Sequence, residues 1–366
     1  MTAPRLSIVH DYLTQRGGAE RVVLAMSDAF VDAPIYTSLY DPATTYPSFA
    51  ERDVRASPIN RVPALRRDHR LALPLLGAAF SRLHVPGDLV LCSSSGWAHG
   101  ARTEGRKVVY CHSPAKWLYA ADRYFGGAWP ATRHLARLLE RRDKRWDRAA
   151  AATADHYVVN STMVQRWVRE VYDRDAEVVA PPRGVEPDGH LEPVPGIAPG
   201  FLLCVSRLIA YKNVRAVVAA VADLPDQHLV VVGTGPLEQE LRASATSNVT
   251  FVGRVGDGNL RWLYRHSTAV VAAAFEDFGL TPPEAAAFGK PVAVLRWGGF
   301  LDTVAEGTTG VFFDLPERTA IRGALRELVT VSWDEAAIRA HAEAYAPITF
   351  RRQLHRVVEE QSRLTT

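Results

Sequence analysis

Hydrophobic residues along this chain fall into short, often β-branched runs that alternate with longer segments whose apolar positions recur with a helical period. Short continuous apolar runs are typical of strands buried on both faces, and the longer pattern is typical of amphipathic helices. Regular alternation of the two predicts parallel sheets covered by helices. We therefore predict an α/β fold of doubly wound parallel sheets, and two such sheets that face each other make an interdomain cleft.

Predicted strands occupy both halves of the chain. Those of the first half are Leu6–His10, Ala33–Ser38, Leu89–Ser93, Lys107–Cys111, His156–Val159 and Glu177–Val179. Those of the second half are Phe201–Val205, His228–Val232, Val249–Val252, Ala269–Ala273, Pro291–Val294 and Gly310–Phe312. Each set is large enough for one sheet, so the halves are predicted to fold as two domains.

The boundary between the domains is predicted within residues 181–200, a stretch rich in proline and glycine. Proline lacks the backbone donor that a helix or a central strand needs, so this stretch is expected to be a linker. The expected domains are 1–185 and 199–346. Pro347 interrupts the chain before a last amphipathic helix, Thr349–Arg363.

Composition narrows the possible functions. Of the 366 residues, 47% are hydrophobic, enough for two cores, and a net charge of +3 gives no reason to expect nucleic acid as a partner. Cys92, Cys111 and Cys204 end apolar runs without metal-ligand spacing, so buried, reduced thiols are expected. No signal peptide or membrane-spanning run is evident, and a cytoplasmic location is expected.

The most informative stretch is FEDFGLTPPEAAAFGKP at 275–291. It places Glu276 in a loop after a predicted strand, and Glu284 on a helix that Thr281 can cap and Pro282 can open. The start of this helix consists of Phe278, Gly279, Leu280 and Thr281. Free N–H groups and the helix dipole favour anions there. Two carboxylates around a phosphate cradle suit a ligand with sugar hydroxyls at both ends, which is a sugar nucleotide.

Two cations, Arg207 and Lys212, follow the first strand of the second half. Arginine offers a planar fork and lysine a point charge, a combination that suits a diphosphate. In a transfer reaction both would stabilise negative charge on the departing nucleotide diphosphate. The alternative is a pair of solvated surface cations.

Three further loops carry candidate residues. Gly17 and Gly18 let a phosphate or sugar approach the next helix start, although an ordinary flexible turn also explains them. His112 ends the fourth strand and can bond a sugar hydroxyl or the reacting centre, although most lone histidines are structural. Val255 and Asp257 precede a helix, and Asp257 either accepts from the N1 and N2 donors of guanine or only caps that helix.

One glycine motif, VVGTGPLE at 231–238, is similar to a dinucleotide fingerprint. Its third glycine is missing, and Pro236 at a helix start explains the turn without a cofactor. A dehydrogenase is therefore the least favoured class of enzyme.

The chain resembles the family 4 retaining glycosyltransferases, which have the GT-B fold of two facing Rossmann-like domains. The segments that carry the resemblance are GGAER at 17–21, YCHSP at 110–114, SRLIAYKN at 206–213, VVGTGPLE at 231–238, the Glu276/Glu284 pair and the final helix. Within that family, HDYLTQRGGAERV and EDFGLTPPEA are most similar to bacterial mannosyltransferase-like members that use GDP-mannose.

The resemblance implies a role for each candidate. Arg207 and Lys212 bind the donor diphosphate, and Glu276 contacts the donor sugar near its 3- and 4-hydroxyls. Glu284 contacts the ribose hydroxyls, and His112 lies at the 6-hydroxyl beside the reacting carbon. The remaining donor contacts are Gly17 and Gly18 near the diphosphate and the acceptor entry, N–H groups of Gly279–Thr281, and Val255 and Asp257 beside the base.

The resemblance also implies the reaction. A hexose leaves a nucleotide sugar, GDP-mannose, with retention by front-face attack, and the departing phosphate takes the proton of the acceptor hydroxyl. The acceptor is a glycan, a glycolipid or a small molecule, and no metal or other cofactor is required. The N-terminal domain binds the acceptor, the C-terminal domain binds the donor, and the final helix within 347–366 packs back on the N-terminal domain.

Residues 61–82 combine arginines with a short apolar run in the predicted acceptor domain. Such a surface can dock on anionic lipid at the inner face of the plasma membrane and reach a lipid-linked acceptor. A partly buried helix with solvated arginines is the interpretation we favour.

Three alternatives to this function stay open. One is a UDP-sugar-dependent transferase of the same family, the second is a sugar-nucleotide epimerase, and the third is a non-catalytic sugar-nucleotide-binding subunit. An epimerase acts without an acceptor, so an assay of the donor alone distinguishes it. The combination of Arg207, Lys212, Glu276 and Glu284 weighs against a pure binding subunit.

Overall fold

The computed structural model describes residues 5–120 and 133–364. The chain divides into two compact units, one formed by residues 1–182 with 347–366 and the other by residues 183–346. Each unit is built around its own parallel sheet. The proline- and glycine-rich stretch expected as a linker lies in the second unit from Arg183 onward.

The sheet of the first unit has seven strands in the order β3-β2-β1-β4-β5-β6-β7, each parallel to its neighbours. The strands are β1 Leu6–His10, β2 Ile35–Thr37, β3 Val54–Ala56, β4 Leu89–Ser94, β5 Arg106–Cys111, β6 His156–Val159 and β7 Glu177–Val178. The helices between them are α1 Gly18–Ala29, α2 Pro63–Arg67, α3 Leu73–Arg82, α4 Lys116–Tyr119, α5 Arg133–Ala151 and α6 Thr162–Tyr172.

The second unit has six parallel strands in the order β10-β9-β8-β11-β12-β13. They are β8 Phe201–Val205, β9 Leu229–Val232, β10 Val249–Gly253, β11 Ser267–Ala272, β12 Val292–Leu295 and β13 Gly310–Phe313. The helices are α7 Val214–Val221, α8 Glu238–Ser244, α9 Asp257–His266, α10 Thr281–Ala287, α11 Phe300–Thr303, α12 Arg318–Thr330 and α13 Glu335–Ala342.

The last helix, α14 (Pro347–Arg363), belongs to the first unit and packs against α1. Proline cannot continue a preceding helix but is tolerated in the first turn of a new one, and Pro347 is accordingly the first residue of α14. The buried side chains of Phe350, Leu354 and Val357 join the core on that side of the first sheet. Burial of three large apolar side chains contributes roughly 1.5–3 kcal/mol each, which is enough to hold the terminal helix in place.

Both sheets are doubly wound, and the predicted fold class of two parallel-sheet α/β domains is confirmed. The chain reverses its winding direction between β1 and β4 in the first sheet, and between β8 and β11 in the second. In such sheets ligands bind beyond the carboxyl ends of the strands at this switch point. The loops after these strands are therefore where a site is expected.

The three cysteines are free and buried, as expected. Burial raises the pKa of the Cys92 thiol to about 12, and burial likewise raises the pKa of Cys204 to about 12. Neither thiol ionises at neutral pH, so neither is a reactive nucleophile. Within residues 5–120 and 133–364, no helix has both the length and the apolar character needed to cross a bilayer.

Candidate active site

At the switch point of the second unit, the loop after β8 meets the loop after β11. Lys212 from the first loop forms an ion pair with Glu276 from the second, with side chains that are 11% and 26% exposed. Arg207 Nη2 donates to the hydroxyl of Tyr211 over 2.8 Å, and the Tyr211 ring lies 5.1 Å from Lys212 Nζ. The structure therefore brings Arg207, Lys212 and Glu276 into one cluster, which Tyr211 bridges.

Backbone contacts hold these two loops together. Phe275 N donates to Tyr211 O over 3.2 Å, and the side-chain amide of Asn213 donates to Ala273 O over 2.8 Å. Asn213 adopts the left-handed conformation with φ 53°, which ends the short 3₁₀ turn Ala210–Lys212 and starts α7. The cluster thus rests on a fixed scaffold, and charged groups need little rearrangement to meet a ligand.

Glu284 lies on α10 and is buried. Its Oε2 accepts from the hydroxyl of the fully buried Tyr264 over 2.8 Å, and its Oε1 accepts from Gly184 N over 3.2 Å. The side chain is therefore held in one orientation by α9 and by the start of the second unit. The predicted ribose contact of Glu284 stays a prediction.

The start of α10 differs from the prediction. Thr281 is the first residue of the helix rather than its cap, Leu280 occupies the cap position, and no side chain caps the helix. Pro282 lies within the first turn, where its missing N–H costs nothing. Gly279 has φ 80°, a conformation that favours glycine, and Phe278 is buried.

Two other helix predictions are corrected. Asp257 does not cap α9 through its side chain; it is the exposed first residue of that helix, and Gly256 is in the cap position. Val255 is half-buried just before it. Pro236 does not start α8, which begins at Glu238. The glycine motif instead packs against the Arg207 loop, because Leu208 N donates to Thr234 O over 3.0 Å.

In the first unit, Gly17 and Gly18 lie at the start of α1, with Gly17 in the cap position. The carboxylate of Glu20 is buried there, and a Cβ at Gly17 would lie 2.4 Å from Glu20 Oε2. Within the described residues Glu20 Oε2 has no hydrogen-bond partner. A buried carboxylate at this helix start disfavours a second anion, so a sugar hydroxyl fits here better than a phosphate.

His112 follows β5 and is tied to the neighbouring strands. Its Nε2 lies 2.8 Å from Ser93 Oγ, its N donates to Ser94 O over 2.9 Å, and its O accepts from Asn160 Nδ2 over 3.0 Å. Burial and the nearby His10 lower the pKa of His112 to about 3. The ring is therefore neutral at physiological pH, so one of its nitrogens donates a hydrogen bond and the other accepts one.

Asp11, on the loop after β1, was not predicted as a site residue. Its carboxylate accepts from the backbone N–H groups of Ser95, Trp97 and Ala98 over 2.6, 3.0 and 2.6 Å. Burial raises the pKa of Asp11 although His10 and these amides partly offset that effect. Asp11 lies at the switch point of the first sheet and links the loops after β1 and β4. Its position directly after an apolar strand was the feature of the sequence that could have identified it as a site residue.

The buried neighbours of His112 were missed as well. Burial alone lowers the pKa of His10, but the carboxylates of Glu20 and Asp11 outweigh it, so the pKa is raised.

In the ranges that the structure describes, no group of three or more His, Cys, Asp or Glu side chains is placed to hold a metal ion. A metal-independent reaction stays a prediction.

Both halves of the chain match known protein families. Residues 16–188 match the family described as Glycosyltransferase Family 4, and residues 197–345 match the family described as Glycosyl transferases group 1. Among curated relatives, the D-rhamnosyltransferase WbpZ of Pseudomonas aeruginosa is 29% identical over 198 residues, which are 50% of each chain. A GDP-mannose-dependent phosphatidylinositol monomannoside mannosyltransferase of Mycolicibacterium smegmatis is 30% identical over 147 residues, 35% of this chain and 38% of that one.

The chain thus spans about half or less of the length of the curated relatives it matches. Among solved structures, HepE of Anabaena in complex with UDP and glucose has a TM-score of 0.70 at 17% identity, with 97% of this chain and 100% of that chain covered. The lipopolysaccharide outer core galactosyltransferase WaaB has a TM-score of 0.66 at 15% identity, with 97% and 99% covered. At sequence identities this low, the similarity to these solved structures shows a shared fold alone.

Proposed function

Because this chain carries a Glycosyltransferase Family 4 domain followed by a group 1 glycosyltransferase domain, we propose that it transfers a hexose from a nucleotide-sugar donor to an acceptor hydroxyl. The observation that carries the proposal is the Lys212–Glu276 ion pair beside Arg207 at the switch point of the second unit. Cations there meet a diphosphate, and the carboxylate meets sugar hydroxyls.

The proposed roles are those that the family resemblance implies, and the chemistry of each group is compatible with its role. Arg207 and Lys212 neutralise the charge that grows on the diphosphate as the glycosidic bond breaks. Glu276, already oriented by Lys212, accepts hydrogen bonds from the 3- and 4-hydroxyls of the sugar. Glu284 accepts from the ribose, and neutral His112 contacts the 6-hydroxyl.

We propose that the configuration at the anomeric carbon is retained. The acceptor hydroxyl attacks from the face that the diphosphate leaves, and the departing phosphate oxygen takes its proton. The sequence places no carboxylate as an obvious nucleophile, which separates this proposal from the two-carboxylate mechanism of retaining glycosidases. The stereochemistry of the isolated product would test the proposal.

GDP-mannose is the proposed donor. Support comes from a relative whose name specifies GDP-mannose and from the exposed Asp257, two residues after Val255, because a carboxylate can accept from the N1 and N2 donors of guanine. The fold neighbour crystallised with UDP and glucose keeps a UDP-sugar transferase as the second candidate.

A thermal-shift panel with GDP, UDP, ADP and dTDP decides between these donors. We expect GDP to raise the Tm most, because a ligand at 100 times its Kd stabilises the folded protein by about 2.7 kcal/mol, which corresponds to several degrees. Asp257→Asn should reduce the shift with GDP and leave a UDP shift unchanged. A larger shift with UDP than with GDP would overturn the choice of GDP-mannose.

An assay of the donor alone separates a transferase from an epimerase. A transferase forms little product without an acceptor, whereas an epimerase converts the sugar nucleotide by itself. Full conversion in the absence of any acceptor would refute the proposed function.

The acceptor is proposed to be the hydroxyl of a glycan, a glycolipid or a small molecule. The exposed apolar side chains within 61–82 favour membrane docking over the solvated helix expected from the sequence. The docking surface consists of the exposed apolar side chains of Val62, Leu71 and Leu75 with the exposed Arg61 and Arg67. The opposite side of this segment, which includes Leu76 and Phe80, is buried in the first unit and fixes it in place. Exposed basic and apolar side chains within one segment suit anionic lipid.

Vesicle co-sedimentation tests this docking surface. We expect the protein to bind vesicles that contain anionic lipid, and we expect added salt to weaken this binding. Each basic residue contributes only about 1 kcal/mol, so binding also needs the apolar side chains. The Leu71→Ser, Leu75→Ser double variant should therefore clearly lose binding. Val31→Ser, which changes an exposed apolar residue outside the segment, is the matched control. Equal binding to neutral and anionic vesicles, or none to either, would end the docking proposal.

A further inference from the structure

A buried chain of polar side chains connects the start of α1 with His112. Gln15 Nε2 donates to Glu20 Oε1 over 2.9 Å, and this oxygen lies 4.0 Å from His10 Nε2. On the other side of the ring, His10 Nδ1 lies 3.1 Å from both Ser93 O and Ser93 Oγ. Ser93 Oγ lies 2.8 Å from His112 Nε2.

The direction of each hydrogen bond follows from the donor and acceptor capacity of the groups. Ser93 O is a carbonyl oxygen and only accepts, so His10 Nδ1 must carry a hydrogen. That hydrogen is also directed at Ser93 Oγ, which therefore accepts from His10. The hydroxyl hydrogen of Ser93 is then available to donate to His112 Nε2.

The reverse direction is disfavoured. If His112 Nε2 carried the hydrogen and donated to Ser93 Oγ, the serine hydroxyl would face donors on both sides. Its own hydrogen would then have no acceptor among the described residues, in a side chain that is fully buried. An unsatisfied buried hydroxyl costs free energy of folding, so the hydrogen bonds from His10 through Ser93 to His112 have one preferred direction.

Charge acts in the same sense. Glu20 and Asp11 are the carboxylates next to His10, and they favour its protonated form against the effect of burial. A positive His10 in turn opposes a second charge on His112, whose ring centroid is 6.5 Å away. His112 is therefore neutral, with a lone pair at Nε2.

We infer that His10, Ser93 and Glu20 are positioning residues that fix His112 in the neutral tautomer with its hydrogen on Nδ1. His112 then acts toward its ligand as a hydrogen-bond donor from Nδ1, and the oxygen of a sugar hydroxyl is a matching acceptor. This role toward a sugar rests on the proposed transferase function. The tautomer itself is a property of the free protein, and its measurement requires no substrate.

Nitrogen NMR of the ¹⁵N-histidine-labelled full chain tests the inference. We expect one His112 ring nitrogen at a pyrrole-like shift, identified as Nδ1 by its couplings to the ring protons, and Nε2 at a pyridine-like shift. Neither shift should move between about pH 5.5 and about pH 8, since the ring does not titrate there. The His112→Gln spectrum assigns the signals by their loss.

Variants of neighbouring serines give the matched comparison. Ser93→Ala should move His112 to a mixture of tautomers and lower kcat about tenfold with little change in the KM of the donor. Ser94→Ala removes an adjacent buried hydroxyl whose partners are His99 Nδ1 at 2.9 Å and Gly96 N at 3.2 Å, and it should leave the His112 signals unchanged. Ser93→Thr keeps the hydroxyl and should restore the wild-type tautomer.

The outcomes that overturn the inference are specific. A hydrogen on Nε2 of His112 in the wild-type protein would refute it, and so would a Ser93→Ala spectrum with unchanged His112 signals. If the tautomer is as inferred but no sugar nucleotide binds or reacts, the proposed function fails while the positioning chain stands. Far-UV circular dichroism confirms that each variant is folded.

Discussion

Lys212→Ala is expected to lower kcat for sugar transfer by about 10²- to 10³-fold. This is the typical cost of removing one fixed electrostatic group from a site where charge develops in the transition state. The substitution also leaves the partly buried Glu276 without its ion-pair partner, which disturbs the proposed sugar contact. Steady-state kinetics with donor and acceptor varied separately measures the effect.

Glu276→Ala should reduce kcat to a similar extent, and the double variant should lose less than the product of the single effects. Such non-additivity is expected for two groups in direct contact that act as a unit. Arg215 and Glu240 form the matched control pair. Like Lys212 and Glu276, they are a basic residue and a glutamate that form an ion pair in the second unit, but their side chains are 63% and 52% exposed. Alanine at either control position should leave kcat near the wild-type value.

A transfer rate close to that of the wild type in Lys212→Ala would contradict the assignment of this residue. The melting temperature of each variant must be measured alongside, so that a loss of rate is not confused with unfolding. Lys212→Arg adds a further distinction, since it keeps the charge but replaces a compact ammonium by a planar fork.

Gly233→Ala is expected to destabilise the second unit by roughly 2–6 kcal/mol, the sum of a strained backbone and an overpacked contact. Gly233 has φ 126°, and a Cβ there would lie 2.0 Å from Ser206 O. That carbonyl directly precedes Arg207, so the added methyl group displaces the loop of the proposed diphosphate site. Urea unfolding and nucleotide binding should both show the loss.

Gly323→Ala is the matched control for this prediction. Gly323 lies within α12, and a Cβ there would have nothing within 4 Å. Alanine is the better helix former by about 0.8–1.0 kcal/mol, so this substitution should stabilise the protein. A Gly233→Ala variant as stable as the wild type would show that the two loops do not pack as closely as described.

Most of the secondary structure could be predicted from the sequence, but not all. Buried parallel strands appear as continuous apolar runs, and for this reason strands such as Leu6–His10 and Phe201–Val205 have the predicted bounds. The strand Val54–Ala56 was missed because it is short and carries the charged Arg55 in its centre. A run of that length has too little periodicity to distinguish a strand from a loop.

The predicted caps at Thr281 and Asp257 were wrong for a different reason. Both residues have side chains that commonly cap helices, but here each is already the first helical residue, and the cap positions belong to Leu280 and Gly256. Helix ends are set by how the loop packs as well as by the capping preference of single residues, and they shift by one or two positions accordingly.

What the sequence by itself determined is the alternation of buried strands and amphipathic helices, and the set of polar residues in the loops that follow the strands. Those features depend on local periodicity. The tertiary structure alone decided which of these loops meet. Lys212 contacts Glu276 because β8 lies next to β11, and Asp11 reaches the amides of Ser95–Ala98 because β1 lies next to β4. Strand order depends on contacts between segments far apart in the chain, and no local pattern records it.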